Sequence, residues 1–229
     1  MSENTHKNHS HWNEAASTYN SRFGKTIQQI IEEIQEHHEW IGVDWVEESS
    51  SDEDAESSPA PHKTSIGVDL TEGMVNEYNT SARNQGIPES EMYAVQGNLI
   101  DAAVPDPPEF AGEEFFDFDI AAVGLGFHHF DDPALAAKRL AQRLKKGGVL
   151  MIVDFLPHSH VSSGSGDHRP EAAHTVTHNG FSEVDVKKIF GDAGLGASFD
   201  YKVIGKGIVF SDEDKKMERS VFFAKGVKL

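Results

Sequence analysis

IGVDLTEGMVNEYN, residues Ile66–Asn79, opens on a short apolar run that ends in a carboxylate and passes directly into a helical pattern. Ile66–Asp69 predicts a short strand. Glu72–Asn84 predicts a helix, with Thr71 as its cap and Gly86-Ile87-Pro88 as its stop. The alternation continues downstream. Met92–Gln96 reads as a strand, Ala102–Glu114 as a proline-bearing loop, and Phe118–Gly124 as an apolar strand. Asp132-Pro133 opens a helix that runs to Lys145, ended by Gly147-Gly148. Val149–Phe155 is a continuous apolar run of the kind a buried parallel strand requires. Ser182–Asp192 reads as a helix with a capping-box arrangement of Ser182 and Asp185. Tyr201–Phe210 and Arg219–Lys225, on either side of SDEDKKME, suit an antiparallel hairpin. Strands alternating with helices predict an α/β fold, a mostly parallel sheet with helices on both faces and an antiparallel hairpin at its end.

Upstream the pattern differs. Asn13–Trp40 is helical, with Ile27, Ile30, Ile31 and Ile34 making one apolar stripe. The polar, His-rich residues 1–12 are expected to be disordered and 13–46 to form a helical lid. The run EESSSDEDAESSPAPHK holds no apolar side chain larger than alanine, so 47–65 is expected to be an acidic, flexible linker before a domain spanning 66–229. Residues 157–173, polar with a Ser/Gly tract, are also expected to be mobile.

Composition narrows the function. Twenty Lys and Arg against 38 Asp and Glu give a net charge of −18. Phosphate backbones and anionic bilayers are repelled by such a surface, so neither nucleic acid nor membrane is expected as a partner. No run of about 18 apolar residues is present, and the N-terminus has no apolar signal region, which favours a cytoplasmic location. Cysteine is absent. The thirteen histidines include pairs at ligand-like spacing (His9 and His11, His158 and His160, His174 and His178), but none has the H-E-x-x-H form, and no metal site is expected.

Several segments, in order, resemble the class I S-adenosylmethionine (SAM)-dependent methyltransferases, in particular the type-11 and ubiquinone-biosynthesis-like branch of fungal type. IGVDLTEGMVNEYN is similar to that family's second strand and helix, QGNLID (Gln96–Asp101) to the segment after its third strand, FDFDIAAVGLGFHHFDDP (Phe116–Pro133) to its fourth strand and loop, and RLKKGGVLMIVDFLPH (Arg143–His158) to its fifth. EAASTYNSRFGKTIQQIIEEI resembles the lid helix, and HNGFSEVDVKKIFGDAGL through RSVFFAKG the last helix and hairpin. The resemblance implies a Rossmann-like sheet and SAM as cofactor. Asp69 would accept from the ribose hydroxyls, as a carboxylate at a strand's C-terminal edge suits a vicinal diol. Met74, Asn98 and Leu99 would lie at the adenine, with Tyr19 and Gly124 near the donor. His128 and His129 would face a small-molecule acceptor, where histidine suits proton transfer near neutrality.

One expected part is not in the sequence. The family's first strand and its D-x-G-x-G-x-G turn should precede Asp69 by about 20 residues. The acidic serine run stands there instead, without a glycine before Gly67. IGVD also occurs at Ile41–Asp44, so Ile41–Val46 is one candidate replacement strand; a deleted first strand is the other reading. A deletion would leave SAM binding weakened or lost, and would leave sheet edges open to homodimer pairing. Two functions therefore stay open: methyl transfer to a small organic acceptor, or a methyltransferase-like binding or partner protein, or SAM-independent enzyme, on the same fold.

Overall fold

The structure, a computed structural model, describes residues 1–43, 64–158, 171–212 and 215–229. Strand β1 (Ser65–Asp69) pairs in parallel with β2 (Met92–Gln96), from Ser65 opposite Met92 to Asp69 opposite Gln96. Helix α3 (Glu72–Asn84) is the crossover between them, and its cap is Thr71, whose hydroxyl accepts from the Met74 amide. Strands β3 (Phe118–Gly124) and β4 (Leu144–Phe155) are likewise parallel and joined through helix α4 (Pro133–Arg143), capped by Asp132. Beyond them β5 (Asp200–Asp212) and β6 (Lys215–Val227) form the expected hairpin, with β6 antiparallel to β4. Helix α5 (Glu183–Asp192) precedes the hairpin and carries both bonds of the Ser182–Asp185 capping box.

The strands fall into two sheets, β1-β2 and β3-β4-β6-β5, and among the described residues no strand joins β1 to β3. The candidate replacement does not fill that place as far as it is described. Ile41 closes a one-turn helix α2 (His38–Ile41), fully buried, and Gly42 follows in the left-handed region at φ 73°, so Ile41–Val43 is not a strand. The left-handed glycine ends the helix and turns the chain. The rest of that segment, and most of the expected acidic linker, lie outside the described residues; Ser65 already belongs to β1.

Strand period organises the core. Leu150 and Ile152 of β4 face one side and meet Phe222 of β6, Phe190 and Val186 of α5, and alanines of α4. Met151 and Val153 face the other side, with Val221 and Phe223 of β6. Each such side chain contributes about 1.5–3 kcal/mol on burial. The second face is covered by the end of helix α1 (Glu3–Glu36), through Ile30 and Ile34, and by Ile41. Of the expected isoleucine stripe, Ile31 is the exception: it is 41% exposed, one residue out of step with Ile30 and Ile34 on a 3.6-residue turn.

Residues 1–12, expected to be disordered, are helical from Glu3 onward. Ser2 caps α1 by accepting from the Thr5 amide, and the first turn is tied to distant parts of the chain: Ser2 Oγ to Asp131, and Asn4 Nδ2 to Asp131 at 2.8 Å and Thr177 at 2.8 Å. These partners lie more than 120 residues away in sequence, so local composition does not reveal them. The expected 102–114 loop contains two short 3-10 turns, at Pro108–Phe110 and Glu113–Phe115. The expected mobile segment lies mostly outside the described residues, which resume with a 3-10 turn at Glu171–Thr175. Among the described residues no helix is long and apolar enough to cross a membrane.

Candidate functional site

The candidate residues sit at the C-terminal ends of parallel strands, and α1 bonds both the chain just after β1, at Gly73, and the chain just after β3, at His129. In open α/β sheets this edge, where connections diverge, is the usual ligand crevice. At the end of β1, Asp69 Oδ1 accepts from both the amide and the hydroxyl of Thr71, each at 2.8 Å. The carboxylate thereby fixes the residue that caps α3, and its second oxygen accepts no hydrogen bond among the described residues. Tyr19 reaches toward it from α1. Burial, then the negative charge of Asp69, hold the Tyr19 hydroxyl above the ordinary tyrosine range. Met74 is half-buried in the first turn of α3.

At the end of β2 the chain turns through Gly97 and Asn98. Gly97 N donates to Asp69 O at 2.9 Å, which continues the parallel pairing past the last ladder residue. Asn98 Oδ1 accepts from Ile100 N at 3.1 Å, a side-chain turn that replaces a backbone one. A cavity of about 410 Å³ opens here, walled by Leu70, Gln96, Gly97, Asn98, Val104 and Pro108. Of the expected donor residues Asn98 lies in this wall. Leu99 instead turns its carbonyl to Arg139. Gly97 has a steric role: a Cβ there would stand 2.4 Å from the ring of Phe110, which is 1% exposed and cannot swing away. Gly97→Ala is expected to destabilise by about 1–3 kcal/mol, the usual cost of overpacking. It should also narrow the cavity; a denaturant midpoint equal to that of the unmodified protein would rule this out.

The third site element follows β3. Gly124, expected near the donor, ends the strand with open space above its α-carbon. Leu125 then takes a left-handed conformation at φ 53°, and its amide donates to Val153 O at 2.8 Å. A 3-10 turn, Phe127–His129, presents both expected histidines. His128 is 6% exposed and its partner is Asp154, fully buried in β4. His128 Nδ1 lies 2.8 Å from Asp154 Oδ1, and the His128 amide donates to Oδ2 at 3.0 Å. A carboxylate only accepts, so Nδ1 carries the proton of this bond and Nε2 faces away from Asp154. Asp154 was not identified from the sequence. The signal for it was present: it is the one charged residue in the run Val149–Phe155, and a charge in a buried strand needs a partner.

The His129 ring lies tilted beside that of His128, centroids 4.1 Å apart, and its Nδ1 donates to Thr175 O at 3.0 Å. Burial, and then the neighbouring His128, push its pKa down to about 4, so it is neutral at physiological pH. The chain from Thr175 to His178 straps this turn, with the amides of Thr177 and His178 both donating to His128 O.

Helix α1 roofs the edge. Asn4 Nδ2 donates to His129 O, Asn8 Nδ2 to Thr175 O, and Trp12 stands edge-on to His129 at 5.4 Å. Further along, Asn13 Oδ1 accepts from Gly73 N at 2.8 Å, at the start of α3. A Cβ at Gly73 would lie 2.9 Å from that of Ala16, so glycine lets the two helices touch. One helix thus spans the His128–His129 turn and the Asp69 end of β1. Among the described residues no three His, Asp or Glu side chains gather as a metal ion would need.

Known proteins resemble the chain in sequence and fold. The sequence model of the methyltransferase domain family matches residues 53–152. An uncharacterized methyltransferase of Schizosaccharomyces pombe is 28% identical over 157 residues, 67% of this chain and 52% of its own, so the chain spans about half the length of that relative. A protein of Bacillus halodurans assigned as a methyltransferase shares the fold, with a TM-score of 0.50 and 17% identity over 72% of this chain and 83% of that one. The YcgJ protein of Bacillus subtilis superposes with a TM-score of 0.48 at 15% identity, over 72% of this chain and 82% of that one. Over residues 53–152 the chain is thus similar to the methyltransferase domain family, and it shares its Rossmann-like fold with the Bacillus halodurans protein.

Proposed function

We propose that this protein binds SAM at the C-terminal ends of β1 and β2 and transfers its methyl group to a small organic acceptor held near His128 and His129. The observation that carries the reading is the convergence of Asp69, Asn98 and the His128–Asp154 pair on one edge of the parallel strands, under α1. The residues there fit the adenosine half of the donor. The Asp69 carboxylate keeps one oxygen for a ribose diol, and the cavity beside Asn98 offers Leu70 and Val104 as apolar walls. Tyr19 lies near Asp69, and Gly124 leaves room beside the donor. The amino-acid half has no glycine turn among the described residues. A net charge of −18 attracts a cationic sulfonium.

When bound, SAM supplies an electrophilic methyl group. The sulfur would keep the electron pair of the carbon–sulfur bond that breaks as the acceptor takes the methyl. His128 takes the acceptor's proton at Nε2, and Asp154 holds its ring in the required tautomer and balances the charge that develops. His129, neutral with Nδ1 committed to Thr175, also turns a lone pair outward and orients the acceptor. Helix α1 keeps water from the site.

A second reading has its own support: the gap between the two sheets and the glycine-free stretch before Gly67 favour a protein that holds a ligand or partner without methylating it. In either reading the open β1 and β3 edges favour pairing with a second copy, which sedimentation would detect. Calorimetric titration with SAM and S-adenosylhomocysteine separates the two functions. Micromolar binding, weakened tenfold or more in Asp69→Ala, is expected, since a charged hydrogen bond contributes about 1.5–3 kcal/mol. A folded protein that binds neither at millimolar concentration would leave the second reading.

A further inference from the structure

Two arginines of α4 lie outside the chemistry described so far. Arg139 is 6% exposed, and among the described residues it forms no ion pair. Its guanidinium is matched only by backbone carbonyls: one terminal nitrogen donates to Leu99 O at 2.6 Å, the other to Val104 O at 3.0 Å. Arg143, one helical turn on, donates to Phe110 O at 2.5 Å and lies over the Phe116 ring at 4.2 Å. Its Nε is buried with no partner among the described residues. Arg143 feels the Asp106 carboxylate, but Arg139 is a buried cation with no ion pair among the described residues, an expensive element for packing alone. Both arginines grip one segment, 99–110, at its start, middle and end. That segment has little regular structure of its own, and it forms the far wall of the cavity through Val104 and Pro108. The fork of a guanidinium spans two carbonyls five residues apart, which an ammonium cannot do.

We infer that Arg139, seconded by Arg143, is a positioning residue for the nucleoside pocket: it holds the 99–110 wall at the distance from β1 and β2 that admits a planar base. The inference rests on the donor reading above. Phe110, at the end of the segment, already packs against Gly97, so the pocket's width is set where Arg139 holds Leu99 and Val104.

Arg139→Lys is the discriminating variant, because lysine keeps the charge and one hydrogen bond but not the bridge. Two readouts are needed, hydrogen–deuterium exchange along the chain and affinity for S-adenosylhomocysteine. Expected are faster exchange confined to amides of 99–110, a melting temperature within a few degrees of the unmodified protein, and dissociation constants raised about tenfold, the effect of one charged hydrogen bond. Arg143→Lys should do the same more weakly. Unchanged exchange in 99–110, or exchange raised uniformly across α5 and β6, would overturn the inference and leave the donor reading intact. If the unmodified protein does not bind S-adenosylhomocysteine, the donor reading fails first, and a recognition role for the pair falls with it.

Discussion

Asp154→Ala is expected to destabilise the protein by about 3–5 kcal/mol, the cost of breaking a buried charged pair from one side. Asp154 is 0% exposed and serves three donors: the His128 amide, His128 Nδ1 and the Phe155 amide at 2.7 Å. Alanine would leave both His128 N–H groups unanswered in an apolar neighbourhood that includes Phe155, whose ring lies 5.0 Å from His128. For a chain of this length the melting temperature should fall by roughly 10 °C or more. Asp154→Asn separates structure from chemistry. The amide keeps an oxygen for His128 Nδ1 but points N–H at another donor, so the stability loss should be smaller than for alanine. Loss of methyl transfer should be similar in the two, since neither side chain can balance an imidazolium. An Asn variant that methylates at the unmodified rate would remove the His128–Asp154 pair from the mechanism, and an Ala variant that melts normally would deny the buried bonds themselves.

The elements that were legible in the sequence are those whose local pattern and tertiary role agree. β2 has its expected bounds, and α5 its expected cap, because turn residues and caps act over three or four positions. β4 starts five residues earlier than its apolar run, since Leu144–Gly148 extend it on pairing rather than on hydrophobicity. What could not be read was fixed by partners far along the chain. The helical first turn of α1 depends on Asp131 and Thr177, and its placement over the His128–His129 turn depends on Asn4 and Asn8. Ile41–Val43 repeats the sequence of β1 yet is not a strand, because Ile41 is drawn into the second core and the following glycine turns the chain.

The candidate site divides the same way. Asp69, Asn98, His128 and His129 could be named as candidates because strand ends are visible in sequence and ligands gather there. Asp154 and Arg139 were missed because each was hidden in an element that read well without it, a buried strand and an alanine-rich helix. A charge inside an otherwise apolar face is the general signal for such residues: its partner defines a site even when the partner cannot be named in advance.

His129 should make the protein lose stability in mild acid. Its pKa is about 4 in the folded state, below the value near 6.5 of an unfolded chain, because burial and the adjacent His128 disfavour the cation. As pH falls from 6.5 the unfolded chain takes up this proton first, so the folded state loses ground through the whole window from about 6.5 to 4. The loss is complete near pH 4 and amounts to about 3 kcal/mol as an upper figure. Above pH 7 the group is neutral in both states and contributes nothing to the slope. His128 and His11 press in the same direction, while Asp154 and the Thr175 carbonyl oppose them, so the net effect is best isolated by difference. His129→Gln removes the titration and keeps a donor for Thr175 O. Denaturant unfolding of both proteins from pH 7.5 to pH 4 should show the gap between their stabilities change by about 2–3 kcal/mol in the variant's favour as pH falls. Parallel curves across that window would mean that His129 is solvated, and that the roof of Trp12 and α1 does not close over it.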